Sequence, residues 1–163
     1  MWSELLEVMQ EELALYRELQ AKIETDQEKI VAFDIEGLLA SNQRKENLSA
    51  QLQSLENIRV NRLEEIANSL TLGATDLTLS RLDPHIPEEF RPQFRECSSQ
   101  LRVTVQRVHR ANQENGRLVR HSLNYIVQSL AFIKNLIEQK SLYLSSGQLA
   151  SPQRAGKFVE RKA

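Results

Sequence analysis

The side chains able to do chemistry are few and far apart. The chain has 163 residues, with three His and one Cys. His109 and His121 fall on one expected helix, separated by about 18 Å of helix rise, so they cannot share a metal ion. Neither Cys97 nor a nearby carboxylate completes a ligand set. His85, between Asp83 and Pro87, is expected at the surface, and Cys97 as a small core side chain. The acid pairs Glu11-Glu12, Glu64-Glu65 and Glu88-Glu89 belong on helical faces or caps, outside the kind of cleft that raises one carboxylate pKa. No glycine-rich phosphate loop is present. The expectation is a protein without catalytic residues, metal or cofactor, and not an enzyme.

The remaining constellation suits binding. Asn112, Asn115 and Gly116 interrupt a helical pattern. Polar residues at seam positions commonly fix helix register at some expense of stability, and these three are read as register-setting. Beyond them Leu118, Leu123, Ile126, Val127, Leu130, Ile133 and Ile137 give more apolar surface than the single stripe a bundle helix needs. They are the candidate surface for another protein. The alternative is a structural coiled coil that homo-oligomerises through the same face. Arg102, Arg107, Arg110, Arg117 and Arg120 concentrate positive charge on the same helix. A formal net charge of -1 and the lack of stacking aromatics nearby favour salt bridges to the first two helices over nucleic acid. A phosphate-binding regulator is the third reading.

Three helices must position these residues. The first, about 3–33, has Ser3 as N-cap and an apolar residue every seventh position: Trp2, Met9, Tyr16, Ile23 and Ile30. Glu12 and Asp26 interrupt the second seam position. A corner at Asp34-Ile35-Glu36-Gly37 leads to the second helix, about 35–72. Its apolar series is broken by Ser41, Asn42 and Lys45, and Gly73 is expected as its left-handed C-cap. Pro84, Pro87 and Pro92 make 73–90 an irregular crossover that packs leucines on the bundle. The third helix, about 90–142, places Phe94, Leu101, Val108, Asn115, Ser122, Ser129 and Leu136 at one heptad position. Val105, Asn112, Val119, Ile126 and Ile133 are expected at the adjacent one.

At 1.5 Å per residue the third helix is about 70 Å long and the others about 50 Å. Its end, from about Tyr125, is expected to project past the Asp34 corner. The fold class is therefore all-α, an elongated antiparallel three-helix bundle or coiled coil over 1–144, with a mobile basic tail over 145–163. Trp2-Ser3-Glu4 lacks the basic and apolar regions of a signal peptide, and no run reaches the length of a membrane span. A cytoplasmic protein without membrane insertion is expected.

Several stretches resemble those of the FlgN family of flagellar export chaperones. Asn112-Gln113-Glu114-Asn115-Gly116-Arg117-Leu118 has the family's N-x-x-N-G-x-L form. Asp34 to Leu38 and Leu55 to Arg59 resemble its D-x-E-x-L and L-E-x-x-R stretches. Tyr143 to Gln148 resembles its terminal Tyr-Gly-x-x-Gly-Gln element, with Leu144 standing where the family has glycine. The resemblance implies a three-helix cytoplasmic chaperone, part of the type III secretion route, that holds the C-terminal helices of hook-associated proteins. It would deliver them to the export gate, with Tyr143 as an implied gate contact. A homodimer could shield the client site until the client arrives.

Overall fold

A computed structural model describes residues 1–71 and 82–141, and the side chains of all of these except 138–141. Among the described residues the regular structure is three α-helices and one short 3-10 turn: α1 (Trp2–Ala32), α2 (Ile35–Ser69), the turn Asp83–His85, and α3 (Arg91–Ser141). The described residues are all-α, and the helices pack on one another. Residues Met1–Val119 form one compact unit, and the chain from Arg120 onward a second.

α1 starts one residue before the expected cap. The terminal ammonium pairs with Glu4 at 3.3 Å, and Ser3 Oγ donates to Glu7 rather than capping the helix. α1 and α2 are joined by Phe33 and Asp34 alone. Phe33 adopts left-handed φ 55° and ψ 33°, and the Asp34 amide donates back to Lys29 O at 2.9 Å, which closes the helix end. Asp34 then caps α2, accepting from the Gly37 amide at 2.9 Å. A Cβ at Gly37 would overlap the Asp34 carboxylate, so a larger residue here would shift the capping side chain.

α2 runs antiparallel to α1, since its ion pairs to α1 descend in number as α2 ascends: Glu18–Arg44, Glu12–Arg59 and Glu4–Arg62. It ends at Ser69, with Thr71 at φ 56°. Gly73, the expected C-cap, lies outside the described residues, as do Leu77 and Leu79 of the crossover. Leu82 and Ile86, just before α3, are buried against the core.

Two apolar clusters hold the first unit together. The lower one joins Leu5, Met9 and Leu13 of α1 to Leu63 and Ile66 of α2, with Phe94 and Cys97 of α3 and the edge-on ring of Trp2. The upper one joins Leu19 and Ile23 to Leu48, Leu52 and Ala111. α3 therefore runs parallel to α1 in this unit.

The polar interruptions of the α1 seam meet polar partners. Glu12 is buried and accepts from Arg59 Nε at 3.0 Å. Asp26 is only 1% exposed and pairs with Lys45 at 2.6 Å and Lys29 at 3.1 Å. Burial works to raise the pKa of both. For Glu12 it prevails over Arg59, and the carboxyl lies above its ordinary value. For Asp26 hydrogen bonding from Lys45 and Lys29 prevails over burial, and the carboxyl lies below it.

Candidate partner-binding site

α3 is one continuous helix that uses two apolar frames in succession. Over its first half the residues meeting α1 and α2 are Phe94, Cys97, Leu101, Thr104, Val108, Ala111 and Asn115, spaced by three and four in strict alternation. This differs from the expected seam at one position in two. Phe94, Leu101, Val108 and Asn115 stand where periodicity put them. Their companions are the small residues Cys97, Thr104 and Ala111, while Val105, Asn112 and Val119 are exposed. Small companions fit because the larger residues of α1 and α2 already fill the space between the helices.

Asn115 is buried, and its Nδ2 donates to the Ile23 carbonyl of α1 at 2.7 Å. Its Oδ1 is enclosed without a hydrogen bond. Asn112 is exposed and borders a groove with Asn42, Lys45 and His109. A Cβ at Gly116 would meet open space, so no close helix approach requires glycine there.

Past Asn115 the apolar pattern moves. Val119, Leu123, Ile126, Leu130, Ile133 and Ile137 again alternate four and three, but each stands one residue beyond the corresponding place in the first frame. One residue turns the face by about 100°. All six are exposed, between 38% and 63%, and Val127 beside them is 64% exposed. Leu118 is half-buried and belongs to the first frame. Of the seven candidate partner residues, six thus lie on one exposed face and Leu118 does not. Tyr143 lies outside the described residues.

Sequence periodicity had overlooked a further group. The first frame, carried on from Leu118, reaches Tyr125 and Phe132 before the expected Leu136, all three exposed. The signal was present in the seven-residue spacing of Tyr125 and Phe132, which the apolar wealth around them hid.

Electrostatics separate the two halves as well. The ion pairs between helices among the described residues join α1 carboxylates to cations of α2, not to the arginines of α3 as expected. Arg110 pairs within α3, with Glu114 at 3.0 Å. From residue 115 to 137 the sequence has three cations, Arg117, Arg120 and Lys134, and no carboxylate.

Among the described residues no three His, Cys, Asp or Glu side chains stand together as a metal site. Cys97 is buried, and burial, aided by the Glu12 charge, raises its thiol pKa and disfavours the reactive thiolate. No described helix is long and apolar enough to cross a membrane.

The family model described as FlgN protein fits residues 1–151. Neither a curated protein nor a solved structure matches the chain.

Proposed function

The chain belongs to the FlgN family of flagellar export chaperones, and from that premise we propose that it binds the C-terminal helical segments of flagellar hook-associated proteins. In this reading it acts in the cytoplasm, keeps those segments from assembling early and delivers them to the export gate. The supporting observation is the exposed stripe Val119–Leu123–Ile126–Leu130–Ile133–Ile137. A soluble chain that leaves six aliphatic side chains open along one helix face has a place for another apolar helix face.

The energetics suit a carrier. Burying the remaining exposed area of each such side chain contributes about 1 kcal/mol. Six of them give a sum comparable with the association penalty of about 4–15 kcal/mol. Binding by this stripe alone is therefore reversible, as handing the client on requires. Holding the client also covers its own apolar stripe, which would otherwise pair with other subunits. Tyr143 is retained as a gate contact on the strength of the family resemblance alone. Homo-oligomerisation through the stripe is the competing reading.

The test is co-purification of hook-associated proteins with the full chain and with the double variant Leu123→Asp/Leu130→Asp. Capture by the parent and loss in the variant is the expected result. Equal capture by both would place the client elsewhere.

A further inference from the structure

The first unit has an apolar patch of its own at the corner between α1 and α2, covered by none of the described helices. Val31, Phe33, Ile35 and Leu39 are 67%, 46%, 61% and 64% exposed. Ile35 and Leu39 share one face of α2 by their four-residue spacing. Phe33 differs from the others in its backbone. The left-handed position that closes a helix ordinarily falls to glycine, which adopts it without steric cost. Closing α1 requires the φ of 55° and makes no use of an aromatic ring. A bulky residue held in this region with its ring open to water points to a use for the ring. Exposed apolar residues gathered in this way mark a contact surface.

Charge gives the character of what fits. Between residues 24 and 39 the sequence has five carboxylates and one lysine. Lys29 is taken, together with Lys45, by the buried Asp26. Glu28 and Glu36 are exposed, each one helical turn before an apolar member of the patch, Val31 and Leu39. Asp34 stands between Phe33 and Ile35, and its carboxylate accepts from the Gly37 amide. Among the described residues none of these three acids has a cation partner. A complementary segment has large apolar side chains flanked by lysine or arginine.

The chain contains such a segment outside the described residues. Lys157-Phe158-Val159-Glu160-Arg161-Lys162, with Arg154 before it, sets two large apolar side chains among four cations and one carboxylate. Chain length decides whether it reaches the corner. From Val119 to Ser141 α3 rises about 33 Å, and the stretch from Ser141 to Lys157 spans up to about 53 Å when extended. Lys157 therefore reaches back to Val119 with about 20 Å to spare, for any direction of the helix beyond Val119. Within the first unit Asn115 donates to the Ile23 carbonyl, and α3 runs parallel to α1. Phe33 then stands about 9 Å further along than Val119, on a helix about 8–10 Å away. A second copy of the chain offers the same segment, but the tether holds it at about millimolar local concentration, roughly a thousandfold above a free copy at micromolar concentration.

We infer that residues 154–162 dock on the α1–α2 corner of their own chain. Phe158 and Val159 meet Phe33, Ile35 and Leu39, and the flanking cations face Glu28, Asp34 and Glu36. The inference is independent of the client reading above. It makes the corner a site for basic, apolar segments, with the chain's own residues 154–162 as resident occupant.

Paramagnetic labelling tests it on the full-length chain. Ala163→Cys takes a nitroxide while Cys97 stays buried, and NMR follows the backbone amides. The expected result is loss of signal at residues 31–39 that persists on dilution. No loss should occur there when an NMR-visible chain without the nitroxide is mixed with an NMR-silent chain that carries it. Phe33→Gly keeps the left-handed cap and should remove the loss. Lys157→Glu/Arg161→Glu should remove it as well, and adding Glu28→Lys/Glu36→Lys to that variant should restore it.

Intact signals at 31–39 in the labelled chain would leave the corner to a basic segment of another protein. Loss in the mixture would assign it to a second copy. Loss that Phe33→Gly leaves untouched, or that the double charge reversal fails to restore, would remove the apolar contact or the ion pairing from the account. Each of these results overturns the inference. Failure to capture any hook-associated protein would instead remove the client reading and leave this one standing.

Discussion

The two halves of α3 follow the same periodicity and have opposite fates. From Phe94 to Leu118 the helix packs on α1 and α2 through Phe94, Cys97, Leu101, Thr104, Val108, Ala111 and Asn115, a row with small and polar members. From Val119 to Ile137 the row is aliphatic at every position and exposed. The half with less apolar surface is the buried one. Apolar richness alone therefore does not mark the core. What the first half has is complementary shape: α1 and α2 supply Leu5, Met9, Ile23, Leu48 and Ile66, and α3 needs only to fit between them. The second half is rich and has no complement among the described residues. The one-residue step between the frames shows that this richness is not a continuation of the bundle row.

The largest expected effect is on the buried half. Phe94 is 1% exposed and meets Trp2 edge-on at 5.9 Å, so Phe94→Ala should lower stability by about 3–5 kcal/mol. Leu130→Ala, on the exposed half, should change it by less than about 0.5 kcal/mol. Urea unfolding measures both, and comparable losses would erase the distinction between the halves.

Asp26→Asn comes next. Asp26 is buried between Lys45 and Lys29, and removing its charge leaves two ammonium groups partly enclosed, at about 3 kcal/mol. The pH dependence has a definite sign. The folded pKa of Asp26 lies below its ordinary value. Its contribution is therefore complete above the unfolded value of about 3.9 and is lost as pH falls through the lower folded value. The stability gap between parent and Asp26→Asn should be full at neutral pH and close below about pH 4. A gap that stays constant to lower pH would remove the ion pair from the account.

A smaller loss is expected at the end of the buried row. Asn115→Ala removes the hydrogen bond to the Ile23 carbonyl and should lower stability by about 1–2 kcal/mol. Asn112→Ala, exposed, should do little, and thermal unfolding of the pair distinguishes the two asparagines. The smallest effect is a gain. Gly116 has room for a Cβ in mid-helix, so Gly116→Ala should raise stability by about 0.5–1 kcal/mol. A loss would mean that the glycine is needed for a helix approach that the free chain does not make.

Much of the fold could be read from the residues. Heptads of apolar side chains pointed to an all-α chain of packed helices, and Asp34 announced the second N-cap. The pairing of Glu12 and Asp26 with Arg59 and Lys45 was hidden. A lone charged seam residue looks like an interruption until the facing helix supplies its counter-ion. Cys97 was expected in the core, but the next companions of Phe94 on α3 were missed because Thr104 and Ala111 are not large apolar residues, whereas Val105 and Val119 are. Helix spacing cannot by itself choose between neighbouring faces when one is small and the other aliphatic. The cap of α1 by left-handed Phe33 was equally beyond a reading that looks for glycine. In the candidate site the excess of apolar residues was plain. Its division into an aliphatic and an aromatic line became visible only once the buried frame was known.

The most direct measurement is amide hydrogen exchange along α3, with and without the C-terminal segment of a hook-associated protein. The predicted result is rapid exchange of residues 119–137 in the free chain at all protein concentrations, strong protection there on adding the segment, and little change over 94–118. Protection confined to 94–118, or protection of 119–137 already present in the free chain, would contradict the claim that the second half of α3 waits for a partner.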